Sequence, residues 1–198
     1  MSNYNIFTIG HSNHSFDKFL HLLKRHFINV VVDVRSNPYS RYSSHFNKDV
    51  LQNSLNERGL KYLFLGDALG GRPKDNHFYD DEGYVLYNRL ADSKTFQEGI
   101  DRLLKGVSKY RIALLCSEED PNECHRHLLI GRVLSSRGIN VAHIRGDGSL
   151  QSDVEILKDL NTSTTNGQTG LFYTEVNNSW KSTQSVFQRK VHVNSSKR

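Results

Sequence analysis

A single repeating unit limits what this chain can fold into: a short apolar run, an abrupt polar cluster, then residues at helical spacing. Its fullest instance spans 112–129. Ile112, Ala113, Leu114 and Leu115 form a run without a polar member, the pattern of a strand buried on both faces of a parallel sheet. Cys116, Ser117 and Glu118 follow at its carboxyl end. Asp120 is placed to cap a helix, Pro121 suits the first helical position, and Glu123 stands where a capping box needs its carboxylate. Leu128, Leu129 and Val133 continue an apolar face as far as Gly138. One helix is therefore predicted from Pro121 onward, with His125 and Arg126 in its first turns.

The unit recurs along the chain. Ile6 to Ile9 stops at Gly10-His11-Ser12-Asn13, and Ser15 can cap a helix that turns Phe16, Phe19, Leu20, Leu23 and Phe27 inward. Val30-Val31-Val32 stops at Asp33-Val34-Arg35-Ser36. Pro38 makes residues 37–46 a loop, rich in aromatic and basic side chains. Asp49 to Arg58 reads as a helix with Val50, Leu51, Ser54 and Leu55 inward, closed by Gly59, and Leu60 to Leu65 as a third strand. Leu69-Gly70-Gly71-Arg72-Pro73 predicts a turn with unusual backbone angles. Residues 77–92 are tyrosine-rich and give no clear assignment. Thr95 to Val107 is a helix, Ile139 to Ile144 a last strand, Arg145 to Gly148 a turn and Asp153 to Leu160 a short helix.

Alternation of this kind through about five strands predicts an α/β domain over residues 1–160. The expected architecture is Rossmann-like, a mainly parallel sheet with helices on both faces. Strand order does not follow from the pattern. Residues 161–170 are Ser, Thr, Asn, Gln and Gly and read as a polar linker. Leu171-Phe172-Tyr173 reads as a short strand or a docking segment, and a basic extension runs to residue 198.

Composition narrows the class. At 198 residues the chain can bury one full core. No apolar run approaches the ~18 residues of a membrane span, and the first residues lack signal-peptide features. Two cysteines cannot form a disulfide scaffold, so a cytoplasmic protein is expected. Their spacing matches no zinc pattern; no metal and no cofactor are expected. The net charge of +5 resides entirely in residues 181–198, where Lys181, Arg189, Lys190, Lys197 and Arg198 stand without an acid. The rest holds 21 basic and 21 acidic residues. Such a tail suits phosphate backbones, and equally suits solubility.

Three motifs end strands, so their side chains are expected on one rim. Asp33, Glu118, His11 and Cys116 are the catalytic candidates. Ser12, Asn13, Arg35, Ser36, Tyr39, Arg41, Phe46, Arg72, His125 and Arg126 are the substrate-binding candidates. Paired carboxylates suit cleavage at a sugar carbon, where one can stabilise a cation or activate water. Arg35 or Arg126 suits a phosphate, as do the free N–H groups of a helix beginning at Asp120. Tyr39, Tyr42 and Phe46 suit stacking on an extruded base. The leading expectation is a nucleic-acid base-processing enzyme, most concretely a DNA N-glycosylase acting on a modified base, with phage defence as its setting and DNA as its partner. A second makes Cys116 the nucleophile of a thiol-dependent transferase or hydrolase, activated by His125 or a helix N-terminus. A third is a non-catalytic nucleic-acid binding module. Each residue has a plainer role available: Asp33 and Arg35 as a structural ion pair, Cys116 as a core thiol, the aromatic residues as packing.

The segments Thr8-Ile9-Gly10-His11-Ser12-Asn13, Asp33-Val34-Arg35-Ser36 with Pro38 and Ser40, and Leu115-Cys116-Ser117-Glu118 with Asp120-Pro121 and Cys124-His125-Arg126 appear in a fixed order, with Leu69 to Pro73 between them. As a set they resemble the family catalogued as domain of unknown function 488, over roughly residues 6–145. The resemblance implies the fold and the site rather than a reaction. Ser117 departs from the pattern, standing where alanine is common.

Overall fold

The apolar runs assemble into one six-stranded sheet in the computed structural model, which describes residues 4–156 and 180–187. The strands are β1 (Ile6–Gly10), β2 (Val30–Asp33), β3 (Lys61–Phe64), β4 (Ile112–Cys116), β5 (Val141–Ile144) and β6 (Leu150–Ser152). Their order is β3-β2-β4-β1-β5-β6. The first five are parallel, and β6 lies antiparallel on β5. β6 was not expected. It has three half-buried residues, too few to show a periodicity.

β1, β2, β4 and β5 are buried along their whole length, as strands covered on both faces are, with Thr8, Asp33 and His143 as their buried polar members. Alternate residues feed two cores. On one face Ile6, Val30, Val32, Ile112 and Leu114 meet α3 (Gly66–Leu69), α4 (Tyr87–Asp92), α5 (Lys94–Val107) and α6 (Arg132–Ser136). On the other, Phe7, Ile9, Val31, Ala113 and Leu115 meet α1 (Phe16–Arg25) and α2 (Lys48–Asn56). Ser15 caps α1 by accepting from the Lys18 amide, and Gly59 and Gly138 take φ of 77° and 75° where α2 and α6 end.

Several local expectations are corrected. Phe27 follows α1 at φ 56° and is exposed, because the chain must reverse before β2. Val50 is exposed on α2, whose inward residues are Leu51 and Leu55. Gly70 and Gly71 need no unusual φ; they are close-approach glycines. A Cβ at Gly70 would lie 2.4 Å from Ser36 Oγ, and one at Gly71 would lie 2.6 Å from the His125 ring.

The largest correction lies between β4 and α6. The helix expected from Pro121 is broken. Pro121–Glu123 makes one 3-10 turn, Cys124 is extended, and Arg126–Gly131 winds as a π-helix that runs on into α6. Asp120 accepts from the Asn122 amide at 3.0 Å and so caps only its own turn. Glu123 is exposed and closes no capping box. The extended Cys124 folds the chain back toward the end of β4.

Part of the expected C-terminal extension docks on the domain. Trp180 Nε1 donates to the Leu128 carbonyl at 2.7 Å, and the Tyr87 amide donates to the Trp180 carbonyl at 2.8 Å. Lys181 pairs with Asp80 at 3.0 Å. The linker at 161–170, Leu171 to Tyr173, the end of the 153–160 helix and the basic residues Arg189, Lys190, Lys197 and Arg198 lie outside the described residues. Asp153 to Ile156 are helical. No helix among the described residues is long and apolar enough to cross a membrane.

The sheet has a switch point. β1 and β4 are neighbours, with Gly10 opposite Cys116. The chain leaves β1 for α1 on one face and leaves β4 for the π-helix and α6 on the other. In open parallel sheets the crevice beyond such a pair is where ligands sit.

Candidate functional site

The crevice is held by a buried scaffold. Gly10 passes directly beneath the turn after β4, where a Cβ would fall 1.8 Å from the Glu118 carbonyl oxygen. The wholly buried Arg126 fixes that turn from the other side. Its guanidinium donates to the Glu118 and Glu119 carbonyls, and its Nε to Thr8 Oγ1 at 3.1 Å. Thr8 in turn meets His143 Nδ1 at 2.8 Å, His143 Nε2 meets Asp153 at 2.8 Å, and His127 Nδ1 meets the same oxygen at 2.7 Å. A continuous polar chain thus runs through the core to the backbone that carries Glu118. Arg126 therefore positions this turn and does not reach substrate, which corrects its expected phosphate role.

Asp33 and Arg35 form a second buried unit. The Asp33 carboxylate accepts from Arg35 Nε at 2.9 Å, from Arg35 Nη2 at 2.6 Å and from Tyr62 Oη at 2.7 Å. Arg35 also donates to the Phe46 carbonyl, and its Nη1 lies 3.2 Å from His11 Nε2. The His11 ring stacks on Phe46 with centroids 4.3 Å apart. Asp33 is wholly buried and its charge is already matched, so it is not placed to activate water. Phe46 is a core residue and is not placed to stack on a base.

Four side chains converge at the end of β4. Cys116 Sγ lies 3.2 Å from Glu118 Oε2 and 3.6 Å from His125 Nδ1. Cys124 Sγ lies 3.5 and 3.9 Å from the same two atoms. His125 Nε2 donates to the Val34 carbonyl at 3.0 Å, which turns Nδ1 toward the sulfurs. Sequence reading singled out Cys116, Glu118 and His125 and missed Cys124. Its signals were placement immediately before His125 and membership of the Cys124-His125-Arg126 motif.

Burial pushes the Cys124 thiol up, but the Cys116 hydrogen bond, Arg126 and His125 outweigh it and hold Cys124 well below the usual thiol range. Cys116 moves the other way, through its hydrogen bond to Cys124 and burial. Burial lowers His125, yet the hydrogen bond and charge of Cys124 raise it overall. Cys124 is thus the more acidic of the two thiols, with the His125 ring beside it. His11 is lowered to about 4, chiefly by burial and then by Arg35.

Two hollows meet here. The first, about 170 Å³, is lined by Arg35, Ser36, Arg72, Cys116, Glu118 and His125, with Ser182, Gln184 and Val186 of the docked segment as one wall. The second, about 290 Å³, is lined by His11, Ser12, Asn13, Arg35, Tyr39 and Glu118. Ser12 sits there at φ 41°, a left-handed conformation rare outside glycine. Tyr39 is exposed, and Arg41 and Tyr42 extend into solvent beyond it. Glu118 lines both hollows, whereas Asp33 lines neither. Of the N–H groups expected to meet an anion at Asp120, that of Asn122 is engaged by the Asp120 carboxylate and that of Glu123 by the Asp120 carbonyl.

No curated protein and no solved structure matches the chain. A family profile does match, beginning just after the Gly10-His11-Ser12 motif and ending within α6. Over residues 15–133, more than half its length, the chain fits the family described as "Domain of unknown function DUF488", and it belongs to that family.

Proposed function

We propose that the chain is a nucleic-acid base-processing hydrolase with Glu118 as its acting carboxylate, cleaving the glycosylic bond of a modified DNA base. One observation carries the reading: Glu118 faces both hollows, while Asp33 is sealed behind Arg35. A single carboxylate at such a junction can take a proton from water as it attacks the sugar carbon, while the departing base leaves with the bonding electrons. Arg72 lines the first hollow and Tyr39 the second, giving a cation and an aromatic face on either side of Glu118. Exposed Arg41 and Tyr42 extend that rim toward a long polyanion.

The test incubates the protein with heavily modified phage DNA and with plain DNA, then measures abasic sites and free bases. Abasic sites on one substrate, abolished by Glu118→Gln, are expected. Salt-sensitive binding without product would leave a binding module instead.

A second reading rests on the short distances from His125 Nδ1 to both sulfurs. They suit a cysteine nucleophile, with Cys124 as the better thiolate and Cys116 beside it. Loss of activity in both Cys116→Ser and Cys124→Ser, with inactivation by a small alkylating agent, would favour it over glycosylic cleavage.

A further inference from the structure

We propose that Cys116, Cys124 and His125 bind a single thiophilic divalent cation, zinc being the best fit. The ligating atoms of these three residues all lie within 4.8 Å of one another. Zinc bonds of about 2.3 Å to sulfur and about 2.0–2.1 Å to nitrogen, at tetrahedral angles, place sulfur and nitrogen about 3.6 Å apart. The separations here are 3.6 and 3.9 Å. Both lie within a few tenths of an ångström of that spacing.

The surroundings also suit a metal. A ligating imidazole commonly donates its remote N–H to a carbonyl, which fixes the ring and aims the other nitrogen at the ion. His125 Nε2 makes that bond to Val34. Gly71 lies against the ring so closely that any side chain there would displace it. Two sulfurs and an imidazole are the donors that favour zinc over magnesium or calcium. Glu118 Oε2 touches both sulfurs but does not belong to the mutually close set, so the protein supplies three ligands with Glu118 beside the fourth position, and all four residues line the first hollow. An open fourth position marks a site that can take water or substrate. On binding, the thiols give up their protons to solvent and both sulfurs coordinate as thiolates.

The sequence does not advertise this site because the ligands do not follow a zinc-finger spacing. Seven residues separate the cysteines, and the 3-10 turn with extended Cys124 brings them together. The buried group His127, His143 and Asp153 is the other set of ligand types at comparable separations among the described residues. Its atoms are already hydrogen-bonded to one another and sealed in the core, so it serves as scaffold.

This inference does not depend on the reaction and is tested without substrate. The full-length protein is purified without chelator, supplied with zinc, desalted and assayed for bound metal. One zinc per chain is expected, with both thiols protected from a thiol reagent until a chelator is added. Cobalt in place of zinc should give sulfur-to-metal charge-transfer absorption and the visible bands of a tetrahedral ion, a readout needing no variant. Cys124→Ser should abolish those bands. Glu118→Gln should retain the metal even where it abolishes turnover, which separates failure of the metal site from failure of the glycosylase reading. Freely reactive thiols in the presence of zinc, or a Cys116–Cys124 disulfide in protein purified without reductant that zinc plus a reductant does not convert to a metal-bound form, would overturn the proposal. A bound metal would in turn remove the thiol-nucleophile reading, since both sulfurs would be occupied.

Discussion

Arg35 grips Asp33 at two points, Nε on one carboxylate oxygen at 2.9 Å and Nη2 on the other at 2.6 Å, with both side chains buried. The pair stands at the end of β2, among motif residues, yet its geometry is that of a strut. Asp33→Asn should leave the guanidinium without its counter-charge and lower stability by about 3–5 kcal/mol. Urea unfolding followed by circular dichroism measures this. An Asp33→Asn protein as stable as the parent would show that the pair is not structural.

Gly10 makes a sharper test of the turn that carries Glu118. A Cβ at this position meets Glu118 backbone atoms at 1.8 and 2.6 Å, and backbone cannot move aside as a flexible side chain can. Gly10→Ala should cost about 1–3 kcal/mol through overpacking. Its effect on turnover should exceed its effect on unfolding, because Glu118 moves with the turn. Equal losses in both would contradict the account.

Thr8 joins Arg126 to His143 through one hydroxyl. Thr8→Val keeps the shape and removes that link, leaving a buried donor and a buried acceptor without partners. The expected cost is about 1–3 kcal/mol. Thr8→Ser should recover most of it. Failure of serine to rescue would point to the methyl group and packing instead.

Acid should weaken the fold through a buried histidine. His11 is neutral in the folded protein, its pKa lowered from 6.5 to about 4 by burial and by Arg35. The unfolded chain takes up this proton below pH 6.5, whereas the folded chain does not. Stability conferred by the neutral ring is therefore complete above pH 6.5 and is lost as pH falls toward 4, by about 3 kcal/mol over that window. His143, also lowered by burial, acts in the same direction. Unfolding free energies between pH 7 and pH 4 check this, and His11→Asn should flatten the slope.

Trp180 anchors the segment that walls the first hollow. Trp180→Ala should lower the melting transition only modestly, since the half-buried ring packs on the margin of the core against Tyr87 and Arg132 rather than among β1–β5. Limited proteolysis within 180–187 should accelerate, and KM for any productive substrate should rise more than kcat falls. A large drop in melting temperature would instead make the segment part of the core.

The fold was largely legible because parallel strands announce themselves. Val30 to Val32 and Ile112 to Leu115 are apolar throughout, and each strand ends one residue beyond its run. β6 was not legible, since its burial depends on pairing with β5 rather than on its own pattern. The rim was legible as a set of strand ends, and Cys116, Glu118 and His125 do meet there. Roles within it were not. Charge and residue type at Asp33 and Arg126 look the same whether a side chain faces substrate or locks the backbone, and only burial separates the two. Cys124 was hidden by a helix-start signal at Asp120 that spends itself on a single turn.

The docked segment also sets an order of events during synthesis. Chains are made from the amino end, and domains fold as they emerge. All six strands of the sheet precede residue 156, so every strand and both sulfurs are on the chain before Ser182, Gln184 and Val186 are added. The wall is therefore the part of the hollow that the chain supplies last among its described residues. Docking of Trp180 on Leu128 then adds that wall to a rim whose other sides the sheet already defines.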